Sequence, residues 1–149
     1  MFEQILAAID VTSNENNVLD AAQDLANLTS GTVHLLHVAE QQVTTGEMLG
    51  EGLAVTGGAD VDAREMILSD QAVARLTASG VKADGQVIQI TRGSQADVAQ
   101  VILRRAQELN VDLIVLGESL HGRASRLFRG SVADEVVHHH PQCSVLLVP

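Results

Sequence analysis

The chain has 149 residues, enough for one domain with one sizeable core, and its hydrophobic fraction of 46% suits a globular protein rather than a disordered one. A formal net charge of -10 repels nucleic-acid phosphates and anionic lipid, and no stretch reaches the roughly 18 apolar residues that span a bilayer. Only two aromatic residues, Phe2 and Phe128, are present, too few for the stacking platforms on which single-strand readers hold bases.

The first element in chain order is an apolar run, residues 4–10, that ends in the carboxylate of Asp10. Thr12 and Glu15 then have capping-box spacing ahead of Val18, Ala22, Leu25 and Leu28, which predicts a helix stopped in a left-handed turn by Gly31. A second strand is expected over Thr32–Val38. The stretch from Glu40 to Gly58 contains Gly46, Gly50, Gly52, Gly57 and Gly58 and reads as a long loop, either a disordered insertion or a functional cover. Residues 60–79 predict a helix with Val61, Leu68, Ala72 and Leu76 near one face and Gly80 as its stop. Asp84–Thr91 alternates more than the other strands and is placed nearer a sheet edge. Ser94 and Asp97 cap a third helix that buries Val98, Val101, Ile102 and Leu109. A fourth strand, Asp112–Gly117, is apolar at consecutive positions. Ser131 and Asp134 cap a fourth helix that ends before Pro141, and Cys143–Val148 closes the chain as a fifth strand, also apolar on both faces.

Strands alternating with helices imply right-handed crossovers and an α/β fold, a three-layer doubly wound five-stranded parallel sheet with helices on both faces, forming one domain over 1–149. In such sheets ligands bind beyond the carboxyl ends of the strands, where strand order reverses. Asp10, Val38 and Gly117 end the first, second and fourth strands and would ring one crevice if those strands are central. Asp10 can accept from a ribose hydroxyl or an adenine amine, or it can simply cap the helix that follows.

The richest segment follows the fourth strand. Gly117 and Gly130 border a polar loop, and Gly130-Ser131-Val132 opens a helix whose free amides and dipole suit an anion. Arg123, Arg126 and Arg129 place three of the nine basic residues within seven positions, so the local charge opposes the global one. A solvated basic loop with an ordinary serine cap is the competing reading.

Other constellations carry less. His138, His139 and His140 are consecutive, and a helical step of about 100° keeps them from converging on one metal. They suit a helix C-terminus instead. His34 and His37 are three apart on a strand and face opposite ways. Cys143 is read as a small core residue rather than a nucleophile. No nucleophile, base and orienting group can be assembled, and Lys82, the sole lysine, does not sit in a phosphate loop.

The chain resembles the universal stress protein family. The resemblance rests on the opening strand with Asp10, the Leu35-Leu36-His37-Val38 strand, the Asp112–Gly117 strand and the closing run from Gly130 to Val148, and it covers the whole chain. It implies an adenine nucleotide alpha hydrolase-like fold. Nucleotide-binding members carry glycine, two residues, glycine, nine residues, glycine, then Ser or Thr. Gly117, Gly130 and Ser131 fall at that spacing, but Leu120 stands where the middle glycine belongs, with Gly122 two residues later. Leucine disfavours the backbone turn that glycine permits, and Glu118 adds a negative charge nearby.

Carried over residue by residue, Asp10 resembles the adenine- and ribose-side carboxylate and Val38 the residue whose backbone meets adenine. Leu116 and Gly117 resemble the ribose-side wall, and Gly130, Ser131 and Val132 the phosphate cradle. The resemblance therefore implies a regulatory module in stress response that binds ATP or AMP, with Mg2+ where a triphosphate is held. Its alternative is a dimeric module that binds no nucleotide and engages regulatory protein partners. Catalysis is expected to be limited to slow, incidental ATP hydrolysis. A homodimer is expected through strand 143–148, an apolar sheet edge in this family's order. A cytoplasmic location is expected, since Met1-Phe2-Glu3-Gln4 does not open a signal peptide and a lone cysteine suits a reducing compartment.

Overall fold

The computed structural model describes residues 1–9, 15–41, 58–91, 95–118, 131–139 and 141–149. Nine elements alternate along them: β1 (Gln4–Ile9), α1 (Glu15–Thr29), β2 (Thr32–Gln41), α2 (Gly58–Ala78), β3 (Lys82–Thr91), α3 (Gln95–Glu108), β4 (Leu113–Gly117), α4 (Val132–His138) and β5 (Ser144–Val148). All pairings are parallel, and the strand order is β3-β2-β1-β4-β5. The three-layer doubly wound sheet read from the sequence is the fold.

Alternation along the strands sorts the core into two layers. Ile5, Ala7, Ile9, Val33 and Leu35 point to one face and pack with Val18, Leu19, Ala22, Ala72 and Leu76 of α1 and α2. Leu6, Ala8 and Leu36 point to the other and pack with Val98, Ile102, Val132 and Val136 of α3 and α4. Because β1 and β4 are covered on both faces, every residue from Ile5 to Ile9 and from Leu113 to Gly117 is buried.

The two outer strands differ from this centre. β3 lies at one edge, as its polar alternation indicates. β5 lies at the other, and there the expectation of burial on both faces fails. Val145, Leu146 and Val148 are only half-buried and Leu147 is 41% exposed, because one side of an edge strand has no covering neighbour.

Three helices end by one device. The amides of Gly31, Val81 and Val111 reach back to the carbonyls of Ala26, Leu76 and Ala106, at 3.1, 3.1 and 3.0 Å. The residue before each is left-handed: Ser30 (φ 57°), Gly80 (φ 87°) and Asn110 (φ 49°). Gly80 is thus the predicted stop, whereas the left-handed residue of α1 is Ser30 and not Gly31. Gly31 is needed for another reason, since a Cβ on it would lie 2.7 Å from the Phe2 carbonyl oxygen. A further close approach occurs at Gly85, where a Cβ would meet Ser69 Oγ at 2.7 Å and Val73 at 2.8 Å, so α2 lies tightly on β3.

Some boundaries and faces shift. β2 continues past Val38 to Gln41, and β3 begins at Lys82, two residues before the predicted start. Val101 of α3, and Leu109 just past its end, are only half-buried. The small residues Ala99 and Ala106 complete its buried stripe. The caps expected at Thr12 and Ser94 lie outside the described residues, as does most of the stretch read as a loop from Glu40 to Gly58.

Candidate functional site

Strand order reverses between β1 and β4. From β1 the chain moves outward through β2 to β3, then returns to β4 on the other side. The carboxyl ends of β2, β1 and β4 are therefore adjacent, and the condition set for Val38 and Gly117 to border one crevice is met. Ile9 pairs with His37, and Ala8 pairs with Leu36 on one side and Leu116 on the other. Val38 lies within β2, next to the His37 that pairs with Ile9 and not at the strand's end at Gln41, and it is half-buried against the layer that contains Leu116 and Val132. Gly117 closes β4, and the amide of Glu118 after it donates to the Val148 carbonyl at 2.8 Å.

α4 begins at this layer. Its first residues, Val132 and Ala133, are 1% exposed, so packing anchors the helix start against the sheet. Ser131 is the N-cap, and its hydroxyl accepts from the Asp134 amide at 3.1 Å. The Asp134 carboxylate in turn accepts from the Ser131 amide at 3.0 Å, completing a capping box. The expectation that the amides of residues 130–132 stand free is thus corrected at Ser131. Its N–H is committed to Asp134, and its hydroxyl oxygen already accepts. The Ser131 hydroxyl proton can still be donated, and among the described residues none accepts from the amides of Val132 or Ala133. Asp134 and Glu135 put two carboxylates in the first turn, where they favour the helix but oppose an incoming anion.

The predicted residues thus divide. Val38, Leu116 and Val132 share one packed layer, with Gly117 and Ser131 beside it. Asp10, Gly130 and Leu120 lie outside the described residues, as do the three arginines of the loop.

Sequence reasoning missed one pair at this end of the sheet. His37 is buried, its Nδ1–H donates to the Ile9 carbonyl at 3.0 Å, and its Nε2 lies against the Glu65 carboxylate of α2. A histidine interrupting an apolar run near a strand's end was the available signal. Glu65 carried none, being 28 positions away on another element.

The histidines of α4 behave as a helix end. His138 lies in the last turn, His139 is the C-cap, and its Nδ1–H donates to the Glu135 carbonyl at 2.7 Å. A hollow lined by Leu103, Ala106, Val111, Pro141 and Cys143 sits at the opposite, amino-terminal end of β4 and β5. Burial, and secondarily the charge of Asp112, pushes the Cys143 thiol up, so this hollow presents a weak nucleophile.

A doubly wound parallel sheet, with a helix start packed beside the point where strand order reverses, defines a class of three-layer α/β domains. Within that class the chain belongs to the universal stress protein family, whose profile matches residues 1–149. It is 28% identical to universal stress protein A homolog 1 of Coxiella burnetii, over 99% of this chain and 96% of that one. A universal stress protein family structure from Burkholderia pseudomallei superposes with a TM-score of 0.72 at 26% identity, covering 99% of this chain and 96% of that one. Two ligand complexes share the fold at 20% identity. One is a universal stress protein with cAMP, TM-score 0.65, covering 99% of this chain and 96% of that one. The other is the Archaeoglobus fulgidus protein with dAMP, TM-score 0.64, covering all of both chains. Among the described residues no helix is long and apolar enough to cross a membrane.

Proposed function

We propose that this protein is a regulatory module of the stress response that binds an adenine nucleotide, ATP or AMP, across the carboxyl ends of β2, β1 and β4. The observation that carries the reading is the reversal of strand order between β1 and β4, with Val38 and Gly117 bordering the reversal and Ser131 and Val132 opening a helix beside it. The cAMP and dAMP bound by two proteins of the same fold support an adenine nucleotide over other anions. In this arrangement the backbone of Val38 meets the base, Leu116 and Gly117 wall the ribose, and the Val132 amide and Ser131 hydroxyl face phosphate. Asp10 and Gly130 would complete the two ends, and Mg2+ would accompany a triphosphate. In this reading the module acts by binding, with ATP hydrolysis slow and incidental. The protein works in the cytoplasm as a homodimer through β5, whose half-buried apolar residues a second copy would cover.

Thermal unfolding with millimolar nucleotide tests the reading. AMP or ATP, with and without magnesium, raises Tm by mass action, and a ligand at 100 times its Kd adds about 2.7 kcal/mol of stability. An unchanged Tm for every nucleotide at millimolar concentration overturns it. A second reading is a dimeric module without nucleotide that engages protein partners. The commitment of the Ser131 amide to Asp134 favours it, as do the two carboxylates in the first turn of α4.

A further inference from the structure

We propose that His37 and Glu65 are a positioning pair that fixes α2 to the carboxyl ends of β1 and β2 and so sets one border of the crevice. The argument begins with His37. Its strand is buried on both faces here, and its imidazole points into the layer beneath α1 and α2. A carbonyl oxygen can only accept, so the 3.0 Å bond to Ile9 places a proton on Nδ1. Nε2 then faces the Glu65 carboxylate, and that contact is attractive only with a proton between the two atoms.

The His37 and Glu65 side chains are 9% and 17% exposed, and the facing atoms, Nε2 and Oε2, are shut off from solvent. Among the described residues neither atom has a hydrogen-bond partner to replace the other, so each compensates the other's burial. The imidazole thus links three elements. β2 carries it, β1 supplies the carbonyl of its last described residue, and α2 supplies the carboxylate. Its backbone neighbour is Val38, and the Ile9 carbonyl belongs to the planar peptide that leads into Asp10. Two residues assigned to the nucleotide are therefore each one peptide away from groups that this ring holds. The effect on affinity rests on the proposed nucleotide site, whereas the link between α2 and the strands does not.

The test uses the full-length protein with Glu65→Ala and Glu65→Gln. A glutamine amide can donate to Nε2 of a ring protonated at Nδ1, so it restores the link without the charge. The first readout is long-range 1H–15N NMR of the imidazole rings without nucleotide, with His37→Gln assigning the signal. A protonated Nδ1 is expected, and a bare Nδ1 overturns the proposal. The second is hydrogen exchange. In Glu65→Ala, amides of Ala7–Ile9 and residues 63–72 of α2 exchange at least about tenfold faster, those of α3 keep their rates, and Glu65→Gln returns most of the protection. Equal rates in all three proteins overturn the proposal, and so does uniform acceleration across every helix, which would mark a role in general stability alone. The third is AMP affinity by calorimetry, weakened about tenfold in Glu65→Ala and recovered in Glu65→Gln. A wild type that binds neither AMP nor ATP sinks the nucleotide reading, and the first two readouts then still decide the pair.

Discussion

The two ends of the sheet are built on opposite plans. At the amino-terminal end, strands are stitched to one another by polar groups that satisfy each other. The Asp112 carboxylate accepts from the amides of Glu3 and Gln4 at 3.0 and 3.1 Å, and the Asp112 amide donates to the Gln4 carbonyl at 3.0 Å. The Thr32 amide donates to the Glu3 carbonyl at 2.8 Å, and His34 bridges Asp84 and Gln4 across three strands at 2.9 Å on each side. At the carboxyl end, β1 is held instead by a buried side-chain pair from β2 and α2, and a helix presents its amino terminus beside the strand ends. The difference teaches where a parallel sheet keeps its spare hydrogen-bonding capacity. One end commits it to closure, whereas at the other the amides of Val132 and Ala133 have no acceptor among the described residues.

That contrast is open to attack by substitution, since changes at the closed end should cost stability and leave nucleotide affinity alone. The largest effect is expected from Gly31→Ala. Its Cβ would press on the Phe2 carbonyl oxygen at 2.7 Å and on Thr29 Oγ1 at 2.9 Å, and neither neighbour can retreat freely because the two are bonded to each other at 2.8 Å. Overpacking of this kind costs about 1–3 kcal/mol, read from the urea midpoint, with AMP affinity equal to wild type.

Asp112→Asn comes next, at about 1–2 kcal/mol near neutral pH, because a neutral amide cannot accept from both backbone N–H groups. This loss has a pH signature. Burial alone would raise the Asp112 carboxyl, but the amides of Glu3 and Gln4, with smaller help from those of Asp112 and Phe2, outweigh it and hold it below its ordinary 3.8. A depressed folded value means that the stabilisation is intact above the unfolded value and is lost as pH falls through the folded one. Urea titrations of wild type and Asp112→Asn should therefore differ at pH 7 and converge below the ordinary carboxylate range.

The smallest effect on stability, about 1 kcal/mol, is expected from Ser131→Ala, which removes one cap hydrogen bond at the open end. Here AMP affinity should fall as well. A Ser131→Ala protein that loses stability but binds AMP like wild type would erase the proposed distinction between the two ends.

Most of the sheet was legible because burial on both faces writes itself into consecutive apolar residues, as in β1 and β4. The doubly wound topology was legible as well, since strands that alternate with helices imply it, and the proposed places of Val38 and Gly117 rest on that topology. What the sequence concealed were distances across the fold. Gly31 looked like a left-handed stop, and its real constraint is the carbonyl of Phe2, just ahead of β1. Ser131 looked like a free phosphate donor, yet the same Asp134 that announced the cap takes its amide. Glu65 had no local pattern to reveal it, because only the packing of α2 on β2 brings it to His37.

The strand order also bears on how the chain is made. β1 is synthesised first but ends up in the middle of the sheet, with β2 on one side and β4 on the other. Its β2 neighbour emerges soon after it, whereas β4 begins only at Leu113. Through most of translation one rim of β1 therefore has no strand beside it. A ribosome-bound fragment that stops short of Leu113 leaves the N–H and C=O groups along that rim unpaired, which makes it the stage at which a nascent chain most needs a chaperone.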